Sequence, residues 1–254
     1  MEYYRLVLYV LFGVLPSLIW LFYYLRKDLH PEPKAMIVKM FLYGMAVTIP
    51  ALFLEIGLSE TLNETQYLAV FYSPEISPYL PMIMNIVRWF LVIALVEEVC
   101  KYLAVKLFLF HNDALDEPLD LMLYMVIGAL GFTALENILY LFSPIDGLSF
   151  DVVIKTAATI SFMRFVGATF LHTLCSALIG YFMALSSLRN KHRFRLTVLG
   201  IFLATLLHGL YDFSIITLHA PLNFLIPLAV IIMMAVFIFY DFDEIKKVKS
   251  ICKL

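Results

Sequence analysis

A chain of 254 residues that is 63% apolar and 15% charged, with a mean hydropathy of +0.91, is too poor in charge for a soluble domain, where about 25% is usual. Its net charge of −2 gives nothing to suggest nucleic acid as a partner. Cys100, Cys175 and Cys252 form neither a CxxC pair nor a disulfide framework, so they do not report the redox compartment.

Apolar runs of about spanning length recur at 6–25, 35–58, 82–110, 119–142, 162–188, 196–217 and 224–239. The expectation is an all-α, polytopic transmembrane bundle of about seven helices, an integral multi-pass protein of the cell membrane. It reads as a single domain over 1–254, with a core at about 82–217 and peripheral helices at 6–25, 35–58 and 224–239. The first run lacks a basic leader and a small-x-small cleavage site, so it reads as a retained helix. Residues 59–81, punctuated by Pro and Ser, read as a loop of about twenty residues, too short for a soluble domain. Residues 151–161 read as an interfacial helix leading into the fifth span, and Pro81, Pro118, Pro221 and Pro227 mark helix starts or kinks. The sequon Asn63-Glu64-Thr65 is no more than such triplets give by chance.

Charge is unevenly shared between the connections. Arg26, Lys27 and Lys34, then Lys106, then Arg189, Lys191, Arg193 and Arg195, and last Lys246, Lys247, Lys249 and Lys253 all fall on one side. Glu60, Glu64, Glu75, Asp146 and Asp151 fall on the other. The positive-inside rule then puts the N-terminus outside and the C-terminus in the cytoplasm. Tyr3, Tyr4, Tyr23, Tyr24, Tyr72 and Tyr79 read as an interfacial aromatic belt, and Arg88 and Arg164, near helix ends, as snorkelling cations.

The third run breaks the apolar pattern. Glu97 and Glu98 stand side by side in it with Lys101 one turn later. Each ionised carboxylate at mid-bilayer costs roughly 2.5 to 3.5 kcal/mol, against about 0.3 to 0.6 returned by a Leu, Ile, Phe or Val. Two glutamates thus cancel about a dozen good residues. Further polar groups come later in the chain: Glu136 and Asn137 on the fourth span, Arg164, His172 and Ser176 on the fifth, His208 and Asp212 on the sixth. Ionisable groups in lipid face the bundle interior and pair, so four helices point to one shared site. At 1.5 Å per residue, Glu97, His172 and His208 lie about 20, 15 and 18 Å from their helix ends, near the midplane; Glu136 comes out about one turn nearer the outer face.

Spacing adds chemistry. His208 and Asp212 are four apart, as are His172 and Ser176, so each pair shares a helix face. An imidazole and a carboxylate so placed share a metal ion, or one orients the other. Lys101, four residues after Glu97, holds one carboxylate ionised, while two adjacent acids in low dielectric share a proton. A carboxylate that takes a proton from water and returns it is what hydrolysis requires.

The segments Glu97-Glu98-x-x-Lys101, Gly131-Phe132-Thr133-Ala134-Leu135-Glu136-Asn137, His172-x-x-x-Ser176-Ala177-Leu178-x-Gly180-Tyr181 and His208-Gly209-Leu210-Tyr211-Asp212-Phe213, with Asp116-Glu117-Pro118-Leu119-Asp120 before the second, resemble the successive motifs of PrsW-type intramembrane proteases. That family is distantly similar to CAAX prenyl proteases and Abi immunity proteins. Where those relatives carry a histidine in the second motif this chain has Glu136, as PrsW proteins do. The resemblance implies hydrolysis of a peptide bond in or near the membrane segment of a membrane-spanning protein substrate, of the anti-sigma-factor kind. It implies catalytic roles for Glu97, Glu98, Lys101, His172 and His208, with Glu97 or Glu98 as base. Glu136, His172, His208 and Asp212 form a candidate metal set, which either binds Zn2+ or polarises water without it.

Blander readings stand beside these. A Glu pair with a Lys one turn on is also a structural ion pair, and a lone buried histidine is more often a packing residue. Asn137, Tyr140, Ser176 and Tyr181 read as interhelical hydrogen-bonding groups, and Gly167, Ala168, Ser176 and Gly180 as a small-residue packing face. A proton-coupled transporter would show repeated halves, and none is found. A retinal protein would need a lysine in the seventh span, which has none. A non-catalytic scaffold would be expected to have lost a motif residue, and each is present.

Overall fold

The computed structural model describes residues 2–27, 31–72, 78–110, 117–142, 150–188 and 193–245. Its helices are α1 (Glu2–Leu25), α2 (Lys34–Tyr72), α3 (Leu80–Val87), a π-helical segment (Arg88–Ala94) that runs into α4 (Leu95–Phe110), α5 (Pro118–Leu141), α6 (Phe150–Val166), α7 (Ala168–Leu188), α8 (Arg193–Thr217) and α9 (Leu222–Ile245). Seven spans among them are long and apolar enough to cross a membrane. The protein is an all-α, multi-pass integral membrane protein. Asp116, Arg189, Lys191, Glu75, Asp146, Cys252 and the tail lysines at 246–253 lie outside the described residues.

Three boundaries differ from expectation. Residues 59–72 continue α2 and form no loop. Their polarity misleads, because polarity does not break a helix, and the segment holds neither Pro nor Gly between Gly57 and Pro74. Thr61 and Thr65 donate to the carbonyls of Gly57 (2.9 Å) and Thr61 (2.8 Å), and Asn63 Oδ1 accepts from Arg88 at 2.5 Å. Arg88 therefore ties the C-terminal part of α2 to the α3 side rather than snorkelling. The fifth span starts well before 162: α6 runs through Val166 and meets α7 at Gly167, around which the N–H···O ladder continues, Gly167 to Met163 O and Leu171 to Gly167 O, both 2.9 Å. Third, α9 carries on past 239 to Ile245, with Asp241, Phe242 and Ile245 buried.

The centre of the bundle is α5, buried over nearly its whole length and packed on α1, α2, α4 and α7. Its start is a capping box, in which the Glu117 N–H donates to Asp120 Oδ2 (2.8 Å). Helices in lipid gain no hydrophobic energy from each other, so they associate through small residues and interhelical hydrogen bonds. A Cβ on Gly44 would lie 2.0 Å from Gly128 O, and one on Gly131 1.9 Å from Phe41 O, so α2 and α5 cross at backbone contact. Gly180 does the same for α7, 2.5 Å from the Met122 Cα.

Polar links hold α1 in place. Ser17 and Thr133 hydroxyls are 3.2 Å apart, Asn137 Nδ2 donates to Gly13 O (3.2 Å), and Trp20 Nε1 donates to Phe165 O (3.0 Å). Tyr24, expected in the aromatic belt, is instead 1% exposed with its hydroxyl 3.2 Å from Thr173 Oγ1. It lies inside the bundle because α1 packs this face against α7 and α9.

Candidate active site

Four helices deliver the polar residues to one place. Glu97 and Glu98 sit in the first turn of α4, immediately after the π segment. The wider winding of that segment shifts the register of α4, as π segments near functional sites commonly do. Phe90 in this segment lies against Gly209 of α8, where a Cβ would come within 2.7 Å of the ring, so α8 approaches closely enough for His208 to reach the glutamates. From α7 comes His172, and from α5 Glu136.

The two neighbouring glutamates have different surroundings. Glu98, wholly buried, accepts on one oxygen from Lys101 Nζ (2.6 Å) and pairs through it with His208 Nδ1 (2.8 Å). Glu97 Oε2 is buried without a hydrogen bond, 3.8 Å from Lys101 Nζ, 3.6 Å from His172 Nδ1 and 3.9 Å from His208 Nε2. Lys101 also reaches His172 Nδ1 at 2.7 Å and lies 5.2 Å from the centre of the Phe132 ring. An ammonium donates, so a neutral His172 keeps its proton on Nε2, which faces Glu136 Oε2 at 3.2 Å. His208 differs in that both of its nitrogens face carboxylates, Nδ1 toward Glu98 Oε1 at 2.8 Å and Nε2 toward Asp212 Oδ2 at 3.2 Å, so each is placed to donate.

Every residue expected at the site is thus brought to it: Glu97, Glu98, Lys101, Glu136, His172, His208 and Asp212 form one contiguous network. Two expectations for lesser residues need correction. Arg164 does not snorkel. It pairs with Glu136 at 2.9 Å, hydrogen-bonds Asn137 Oδ1 and lies 4.0 Å from the centre of the Tyr140 ring, because the α6–α7 bend turns it inward. Ser176 Oγ is buried without a hydrogen bond among the described residues, so it is a small packing residue and not an interhelical donor. Asn137 does bridge helices, to α1 through Gly13 and to α7 through Thr169 Oγ1 (3.1 Å).

A cavity of about 340 Å³ opens onto the network, lined by Thr48, Leu52, Glu55, Trp89, Ile93, Glu97, Phe132, Glu136, Leu139 and Tyr140. Leu52, Leu139 and Tyr140 are exposed, so its mouth lies on the flank of the bundle between α2 and α5. Sequence reasoning misses Glu55 as part of the site. A lone acid within the 35–58 run is the available signal.

The family model for the PrsW family intramembrane metalloprotease matches residues 32–240. The chain belongs to that family. Proteins named Protease PrsW are similar over most of their length: that of Clostridioides difficile is 29% identical across 80% of this chain and 77% of its own, that of Oceanobacillus iheyensis 27% across 79% and 80%, and that of Bacillus subtilis 23% across 94% and 94%. No solved structure matches. This PrsW-family chain is therefore an enzyme, a protease of the membrane, of a family described as metal-dependent.

The donors present fit a dication. Four carboxylates, Glu97, Glu98, Glu136 and Asp212, face two fixed cations, Lys101 and Arg164, which leaves two negative charges unbalanced when all four are ionised. Ligand atoms of Glu97, His172 and His208 lie within 4.8 Å of one another, and so do those of Glu98, Cys175 and His208. The His172–Glu136 and His208–Asp212 separations of 3.2 Å are close to the roughly 3.3 Å edge of a tetrahedron with bonds of about 2.0 to 2.1 Å. The Glu98, Cys175, His208 grouping fits less well, since Lys101 already neutralises Glu98.

Proposed function

We propose that the chain hydrolyses a peptide bond in or near the membrane segment of a single-pass membrane protein, of the anti-sigma-factor kind by relation to its family, with Glu97 as the general base. The observation that carries this is that Glu97 lines the cavity and Glu98 does not, with Glu97 Oε2 free of hydrogen bonds and lying between two imidazoles. Glu98 is held through Oε1 by Lys101 and His208 and does not line the cavity, so it positions and does not exchange protons.

The residues divide the work. Substrate backbone enters the cavity with its scissile carbonyl near Glu97. Glu97 takes a proton from water as the oxygen bonds to the carbonyl carbon, then gives it to the nitrogen as the C–N bond breaks. His172, steadied by Lys101, presents Nε2–H toward Glu136 and the cavity, where it can donate to the carbonyl oxygen as negative charge develops. Arg164 holds Glu136 in place through its guanidinium.

The residues that would hold Zn2+ are His208, through Nε2, and Asp212, with His172 and Glu136 beside them, the ligating imidazole nitrogens carrying no proton when the ion is bound. Bound there, it would polarise the carbonyl and acidify water. The test is cleavage of single-pass substrates by the purified protein in liposomes, comparing wild type with Glu97→Ala, Glu98→Ala and His208→Ala, with and without a chelator. Loss of cleavage in all three variants is expected, and chelation followed by Zn2+ should remove and restore it. Wild-type cleavage in the alanine variants overturns the assignment; activity indifferent to chelator overturns only the metal.

A further inference from the structure

Three carboxylates line the cavity, and two of them are accounted for. Glu136 pairs with Arg164, and Glu97 lies within 4 Å of Lys101 and both imidazoles. Glu55, on α2, makes no hydrogen bond and no ion pair among the described residues. No Lys, Arg or His lines the cavity with it. The remaining wall is Thr48, Leu52, Trp89, Ile93, Phe132, Leu139 and Tyr140, apolar or neutral.

Glu55 stands where the helices part. Below it, α2 and α5 touch through Gly44, Gly128 and Gly131, and the Thr48 hydroxyl donates to Phe132 O at 3.2 Å. Beyond that contact the exposed Leu52 of α2 and Leu139 and Tyr140 of α5 form the lips of the opening, with Glu55 about one turn beyond Leu52 along α2. A chain segment entering from the flank passes Glu55 before it reaches Glu97. An acid left unpaired in a low-dielectric wall is costly, and a cationic group brought in by the occupant removes that cost.

We propose that Glu55 is a specificity-determining residue, a subsite that receives a lysine or arginine side chain of the substrate beside the scissile bond. This rests on the cavity being the substrate site of the protease reading above. A neutral or acidic residue at the same substrate position leaves Glu55 unpaired, or sets like charge against it, so the protein discriminates by charge at this one position.

The experiment uses the full chain in lipid nanodiscs and a series of single-pass peptides in which one lysine is moved through successive positions of the membrane segment and its outer flank. Each is compared with the leucine parent. Binding is read by fluorescence anisotropy and cleavage separately by gel. One lysine position should bind about ten- to hundredfold tighter than leucine, as expected for a hydrogen bond between charged partners. Glu55→Gln should bring that peptide down to the affinity of the leucine parent, and Glu55→Lys should transfer the preference to glutamate at the same position. The inference is overturned if no lysine position outbinds leucine, or if the preference survives Glu55→Gln. Cleavage without charge preference removes the Glu55 role and leaves the protease reading intact; charge-selective binding without cleavage does the reverse.

Discussion

Glu97 and Glu98 are chemically identical neighbours with opposite expected responses to the same substitution. Glu98→Gln removes the charge that accepts from Lys101 at 2.6 Å and pairs with His208 at 2.8 Å, in a site with no exposure on either side chain of the Lys–Glu pair. Breaking such a buried pair leaves Lys101 uncompensated and costs about 3 to 5 kcal/mol. At about 2 to 4 °C per kcal/mol for a chain of this size, 3 kcal/mol lowers the unfolding midpoint by roughly 6 to 12 °C. Glu97→Gln removes no hydrogen bond and only the longer 3.8 Å ion pair with Lys101, so its midpoint should move less, by about 1 kcal/mol or roughly 2 to 4 °C. Its larger effect is on rate: loss of the base costs about 10²- to 10⁴-fold in kcat, or roughly 3 to 5 kcal/mol of barrier. The assay is paired, thermal unfolding in detergent followed by intrinsic fluorescence, and cleavage of a single-pass substrate at saturation. A Glu97→Gln protein that cleaves at the wild-type rate, or a Glu98→Gln protein as stable as wild type, would refute the division of roles drawn from the geometry.

Other expectations come from particular contacts. Arg164→Met frees Glu136 from the guanidinium 2.9 Å away and should lower kcat/KM by about 10- to 100-fold, the range for outer partners of a reacting group; Arg164→Lys should recover part of it, and an unchanged pH–rate profile in Arg164→Met would argue for a packing role alone. Gly44→Val drives a side chain into Gly128 O, where even a Cβ would sit at 2.0 Å, so α2 and α5 must separate at a cost of at least about 1 to 3 kcal/mol; a wild-type unfolding midpoint would contradict the close crossing. For orientation, we propose an outside N-terminus, so a membrane-impermeant maleimide applied to intact cells should label Tyr79→Cys and not Lys27→Cys, and the opposite pattern would invert the topology.

Much of the site is legible in the chain because lipid penalises charge. Glu97, Glu98, Lys101, Glu136, His172, His208 and Asp212 stand out against apolar runs, and their order along the chain matches a family pattern. Arg164 is visible but misleading, since a span beginning at 162 puts it near a helix end, whereas α6 and α7 form one bent path through Gly167. Glu55 escapes notice because it has no partner in sequence spacing. Its relevance comes from α5 and the π segment, more than thirty residues away. The 59–72 segment resembles a loop in its polarity, although only Pro74 could end the helix.

What the amino-acid order determined by itself was class and cast: seven spans, set by the length of apolar runs against bilayer thickness, and the polar residues that must pair because lipid offers them no water. Only the tertiary structure decided what each of them faces. Consecutive residues on a helix point about 100° apart, so of two adjacent glutamates one turns to Lys101 and His208 and the other to the cavity. That difference depends on where α7 and α8 cross α4, and on the glycine contacts that fix where α2 meets α5 and hence where the two diverge. No spacing along a single chain encodes it.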